Sequence, residues 1–312
     1  LQPDYLRVKS KSNTILWAII ACLLWSTAYA GIKLGLQFDT PFHFAGARFI
    51  IAGLMIIPFA EKPALFIRTV VENWKLVTTI TLLQFLGNYA LFYKGLTFVP
   101  GALGAVIVGS QPLVTAVVAS IMIDEDKLSR KKIVTIIFGI SGVILISAGR
   151  QALKLGTIIE LVGVLMILLG NIATATSNVI VSLKGKNINP LVLSSTSMFL
   201  GGLILYIISG PIEGHHHGSL PLQYWLSLLW LSFMAATAFS IWFKLLQRPG
   251  VKVSELNLWK FIIPVVGAIL SWLLIPDEHP EWLTITGMII ITISLIMFYR
   301  NTMEVSNKLQ KS

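Results

Sequence analysis

The chain has a single cysteine, Cys22, among 312 residues. No intrachain disulfide can form, and a thiolate metal site cannot be built from one sulfur. Charge is scarce too: Asp, Glu, Lys and Arg make up 12% of the chain, about half the ~25% of an ordinary soluble domain. Acids are the scarcer sign, 14 against 24 basic residues. The signatures of common catalytic centres are missing as well. There is no HExxH run, no glycine-rich phosphate loop between a strand and a helix, and no Ser/His/Asp set. An enzyme would have little to work with here, and neither a cofactor nor a metal is expected. The triplet His215–His217 has only Glu213 close by in sequence, so any metal it takes up is expected to be adventitious.

Apolar residues are what the chain has in excess. They form 55% of it, and the mean hydropathy is +0.79. A net charge of +10 would suggest nucleic acid in a soluble protein, but no basic run here interleaves with aromatics. The composition is that of an all-α membrane protein whose standing partner is the lipid bilayer. Apolar runs of ~17–26 residues predict ten transmembrane helices, at 15–34, 42–60, 75–94, 101–123, 133–149, 157–182, 191–210, 224–245, 256–275 and 283–299. Pro, Gly, Asn and charge punctuate every gap, as in "FDTP", "KGKNINP" and "PDEHPE". "IIAC" at 19–22 resembles a lipoprotein cleavage box, yet the apolar run continues through "LLWSTAYAGI" and reads as the first span.

Ten spans put both termini on one side of the membrane. The termini and the loops on that side hold seventeen Lys and Arg residues, against Arg150 and Lys154 on the other. Basic residues collect on cytoplasmic loops, so both termini are expected in the cytoplasm, in a cell (inner) membrane. Five basic residues remain, Lys33, Arg48, Lys94, Lys244 and Lys260, all within spans or at their edges. No acid lies comparably deep.

The two halves of the sequence repeat each other. Pro41 and Gly53 match Pro190 and Gly202, "YKGLTFVPG" matches "FKLLQRPG", Pro112 matches Pro264, and Gly139 matches Gly287. The offset drifts only between 148 and 153. Five spans per copy is odd, so the second copy enters the membrane from the opposite side. Two inverted five-helix repeats, 15–149 and 157–299, are the architecture of secondary transporters, with the site near the midplane between the halves.

"LLWSTAYAGIKLGL", "PFHFAGARFIIAGL" with Arg48, "GALGAVIVGSQPLVTAVVASIMIDED" and "GISGVILIS" together resemble the EamA-type members of the drug/metabolite transporter superfamily. The resemblance implies ten helices in two inverted repeats and a central cavity lined largely by spans 1, 3, 4, 6, 8 and 9. It also implies movement of a metabolite, often outward. It carries no particular substrate with it.

Polar residues in those spans are the candidate site. Lys260, in "LNLWKFIIPVVGAILSWLLI", either snorkels to the interface or stands in the cavity as a cation for an anionic substrate group. Asn257, Lys260 and Pro264 share one helical face by their spacing. Gln84 and Asn88 share a face of span 3 with Phe92, and Asn171, Thr174 and Asn178 share one of span 6. Such groups either bond neighbouring helices or meet substrate. Gln111 stands just before Pro112, and both Pro112 and Pro264 are candidate hinges. Trp25 and Tyr29 lie on one stripe of span 1, either stacking on a substrate or simply packing. Arg48 is expected to bond helix-end carbonyls or polar side chains and to hold the repeats together. The resulting reading is a secondary transporter that moves a small metabolite, an amino acid or related amphipathic compound, in the export direction by alternating access. The rival is an integral membrane protein without transport, either a lipid-handling enzyme or a structural partner.

Overall fold

The computed structural model describes residues 4–99, 101–150, 158–214, 220–274 and 280–308. Among the described residues the regular structure is entirely helical. Eight helices are long and apolar enough to cross a membrane: Pro41–Ala60, Trp74–Leu96, Gly104–Met122, Arg130–Ala148, Ile158–Asn187, Pro190–Glu213, Leu222–Leu246 and Val253–Leu270. Two shorter apolar helices, Ser12–Ser26 and Trp282–Met297, flank them. This pattern is compatible with the ten expected spans, and we number the ten helices in chain order as spans 1 to 10. Bilayer helices satisfy their own backbone groups, so apolar runs convert directly into helices.

The pairing of spans follows the repeat. Spans 2 and 7, 5 and 10, and 4 and 9 pack together, as do 3 with 6 and 1 with 8. Exchanging the two halves maps this set onto itself, as a twofold pseudo-axis requires. Small residues draw the central pairs close. A Cβ on Gly46 would lie 2.6 Å from the backbone N of Tyr206, and one on Gly202 would lie 2.7 Å from that of Ile50. Polar caps bind the ends of this seam. Glu213 of span 7 accepts from the backbone N of Phe42 at 2.8 Å, and Asn189 donates to the carbonyl of Ala60 at 3.2 Å.

Four spans depart from simple helix near the middle of the bundle. Span 1 turns at Thr27, whose hydroxyl donates back to Leu24 O at 2.7 Å, and continues as Ala28–Gly35. Span 3 is π-helical over Thr81–Gly87, a widening often found at functional sites. Span 4 breaks at Ser110, between helices Gly101–Gly109 and Gln111–Met122. Span 9 tightens to a 3-10 turn over Trp259–Phe261. Pro112 and Pro264 account for the last two, because a proline ring clashes with the carbonyl four residues earlier. Those carbonyls belong to Val108 and Lys260.

One helix was not expected. Pro63–Glu72 fills the gap between spans 2 and 3, with Leu65, Ile67 and Val71 at least half exposed. Its apolar run is too short to register as a span, and its amphipathic face suits the membrane surface.

Candidate functional site

A cavity of about 170 Å³ lies in the middle of the bundle, walled by spans 1, 2, 3, 4, 6, 8 and 9. Trp25, Gln84, Asn88, Gln111, Asn171, Thr174 and Lys260 all line it. Periodicity within single spans thus picked out residues that packing brings to one space. A larger cleft of about 460 Å³ lies between spans 1, 9 and 10. Its lining is apolar except for Thr292, which suits lipid chains and offers no polar groups for a solute.

Lys260 does not snorkel. It is 9% exposed and reaches inward over the rings of Trp242 and Trp25, with Nζ 4.8 and 5.3 Å from their centroids. Nζ also donates to Oε1 of Gln111 at 3.2 Å. These contacts offset the cost of burial. A lysine at mid-bilayer costs about 2.5–3.5 kcal/mol on insertion scales. Each desolvated cation–ring contact returns up to ~2 kcal/mol, and a hydrogen bond from a charged donor about 1.5–3.

Arg48 departs from expectation. It is 2% exposed and lines the cavity, with its guanidinium carbon 4.5 Å from the ring centre of Phe49 and 5.2 Å from that of Tyr89. Nε and Nη1 are buried without any hydrogen-bond partner, so these atoms do not bind helix-end carbonyls as the sequence suggested. Spans 2 and 7 are held instead by glycine contacts and the end caps, which leaves the guanidinium turned to the cavity. Unlike Lys260, Arg48 is short of at least one charged hydrogen bond. Oε1 of Gln84 and the hydroxyl of Thr174 are also buried and unpartnered.

Other candidates are placed elsewhere. Asn257 and Lys260, one turn apart in span 9, meet different surroundings. Asn257 is fully buried, donates to Val253 O at 2.9 Å, and accepts from Nδ2 of Asn178 at 3.2 Å. Asn178 and Asn257 therefore bond each other beside the cavity rather than lining it. Asn171 lines it yet donates from Nδ2 to Ile107 O at 2.7 Å, beside the break in span 4. Pro112 and Pro264 sit at their helix breaks, behind the lining. The Tyr29 side chain falls outside the described residues, as do His215–His217. Glu213 is occupied in capping span 2. Among the described residues no group of three His, Cys, Asp or Glu is placed to hold a metal ion.

Sequence reasoning missed the walls supplied by Tyr89, Met234, Ala235 and Phe239, because an apolar or aromatic residue in a span carries no mark of facing a cavity. It also missed two buried acids at span ends. Asp126 accepts from Lys132 Nζ at 2.7 Å and from Ser254 N at 2.9 Å, and Ser254 Oγ donates to it as well. Asp39 accepts from the Tyr224 hydroxyl at 2.7 Å and pairs with His43 at 2.8 Å.

From the middle of the bundle the cavity extends to one side. It runs from the level of Lys260 and Gln111 towards Ile32 and Phe92, away from the end of the bundle where span 1 begins. Towards that end the Asn178–Asn257 bond and the buried side chains of Trp242, Phe243 and Leu246 fill the space.

A multi-pass helical bundle with internal pseudo-symmetry and, at its middle, a cavity that holds cations and amides among apolar walls is the build of a membrane transporter. The model of the EamA-like transporter family matches residues 12–148 and again 161–300, and the chain belongs to that family. A Bacillus subtilis protein described as uncharacterized transporter YvbV is 25% identical over 289 residues, 92% of each chain. A Salmonella typhimurium protein described as "Probable amino-acid metabolite efflux pump" is 26% identical, over 90% of this chain and 91% of its own. A solved crystal structure superposes with a TM-score of 0.80 over 96% of this chain and 99% of its own, and at 16% identity it speaks for the fold alone.

Proposed function

We propose that the protein is a secondary transporter that exports a small amphipathic metabolite with an anionic group, an amino acid or related compound, by alternating access. The observation that carries this reading is the cavity between the two halves, holding Lys260 and Arg48 against aromatic walls with no acid in its described lining. Low-dielectric walls magnify such charges. In this reading Trp25, Gln84, Asn88, Gln111, Asn171, Thr174 and Lys260 contact substrate. Pro112 and Pro264 let spans 4 and 9 bend, and the Asn178–Asn257 bond helps to close one side.

The five-helix repeats at 15–149 and 157–299 rock against each other, so that the cavity meets each face of the membrane in turn. The bias of basic residues towards one set of loops puts both termini in the cytoplasm. With that orientation the cavity described here leans outward, as in a carrier poised to release an exported solute. The efflux named for the Salmonella relative agrees with this direction.

The test is uptake and counterflow in proteoliposomes preloaded with a mixed pool of carboxylate metabolites. Exchange of at least one of them, lost in a cavity variant that is still correctly folded, is the expected result. No movement of any solute would sink the reading.

A further inference from the structure

The charge of the cavity restricts its occupant further than its size does. Arg48 and Lys260 both line it, and neither has a carboxylate partner among the described residues. Lys260 is held by a neutral amide and two rings. Arg48 is held by rings alone, with Nε and Nη1 buried and unpartnered. The remaining described polar lining is amides and the hydroxyls of Thr174 and Tyr89. The described lining therefore carries two cationic side chains and no carboxylate.

An occupant must supply what is missing. An amino acid with a neutral side chain brings no net charge, so within that class only a member with a second acid group supplies both anions. A monoanion compensates one cation and leaves the other without a counter-charge in a low-dielectric site. We infer that the site selects a small organic dianion, with one anionic group at Arg48, whose planar guanidinium matches a carboxylate or phosphate fork, and the second at Lys260. The volume of about 170 Å³ suits a body of a few carbons between them, since an enclosed 150 Å³ cavity takes about one benzene. A dicarboxylate and a phosphate monoester share this chemistry. The inference rests on reading the cavity as the substrate site.

Calorimetric titration of the purified full-length protein tests it, with succinate, glycerol 3-phosphate, butyrate and valine as probes. The expected result is that at least one dianion binds tenfold or more tightly than butyrate or valine; which of the two binds better distinguishes carboxylate from phosphate. Lys260→Gln should bring succinate and butyrate within about threefold of each other. Arg48→Gln should do the same, while Arg48→Lys keeps the preference. Should Arg48→Gln fail to fold, Lys260→Gln and Arg48→Lys carry the comparison.

Valine binding as well as either dianion, a dianion preference that survives Lys260→Gln, or no binding by any probe would each overturn the inference. Proteoliposome flux separates it from the transport reading. Dianion-selective binding without flux of any solute sinks transport and leaves the inference standing. Flux of zwitterions without dianion binding does the reverse.

Discussion

Nζ of Lys260 lies 3.2 Å from Oε1 of Gln111, which ties span 9 to span 4, its counterpart in the other half. Both residues stand where their helices break, one at the 3-10 turn before Pro264 and the other between Ser110 and Pro112. The same prolines that free the backbone to bend bring a cation and an amide together at the centre of the bundle. A change of tilt in either span would move this pair, so substrate contact and helix bending are coupled at one point.

Lys260→Met should raise the half-saturating substrate concentration at least tenfold without lowering expression. The melting temperature in detergent should not fall, because the variant removes a buried charge and keeps a flexible side chain of similar length. Initial rates over a range of substrate concentrations check the first part, and a thermal melt the second. Normal transport by this variant would show that the lysine only packs against its tryptophans.

The Asp126 cluster joins the loop after span 4 to the start of spans 5 and 9. Asp126→Asn leaves Lys132, only 7% exposed, without its main partner. Removing one partner of a buried pair costs about 3–5 kcal/mol. Glu255, 3.8 Å from Lys132 Nζ, recovers part of that and points to the lower end. The double variant Asp126→Asn/Lys132→Met should regain most of the loss. Denaturant or thermal unfolding of the three proteins side by side measures it, and strictly additive losses would contradict the pairing.

Close approach between spans 2 and 7 makes their glycines intolerant of side chains. Gly202→Val should destabilise by about 1–3 kcal/mol or more through overpacking, since even its Cβ meets backbone at 2.7 Å. Leu54, 49% exposed on the outside of span 2, serves as the control. Leu54→Ala should stay within about 0.5 kcal/mol. Equal melting of the two variants would mean that spans 2 and 7 are further apart than described.

Transport should not be driven by protons. Proton-coupled carriers commonly hold a titratable acid or histidine inside the membrane, and the described cavity lining has no Asp, Glu or His. The expectation is facilitated diffusion or exchange down the substrate's own gradient. An imposed gradient of two pH units is worth ~2.7 kcal/mol per coupled proton, about a hundredfold accumulation. Net uptake of that order, abolished by a protonophore, would disprove it.

Much of the fold was open to reading from the chain alone, for a plain reason. A bilayer offers no partner to a backbone N–H, so an apolar run long enough to cross must be a helix. The periodic prolines and glycines then revealed the duplicated halves. Within a span, 3.6-residue spacing grouped Gln84 with Asn88 and Asn171 with Thr174, and those pairs do face one cavity.

Tertiary structure decided the rest, because position within a span does not say which neighbour a side chain meets. In span 9 Asn257 meets Asn178, while Lys260, one turn further on, lines the cavity. Arg48 became a wall of the site because glycine contacts and end caps already hold spans 2 and 7 together. Lys260 could have reached the interface equally well by length. What draws it inward is a pair of tryptophans from spans 1 and 8 and an amide from span 4, which only the packed bundle brings within about 5 Å of one point.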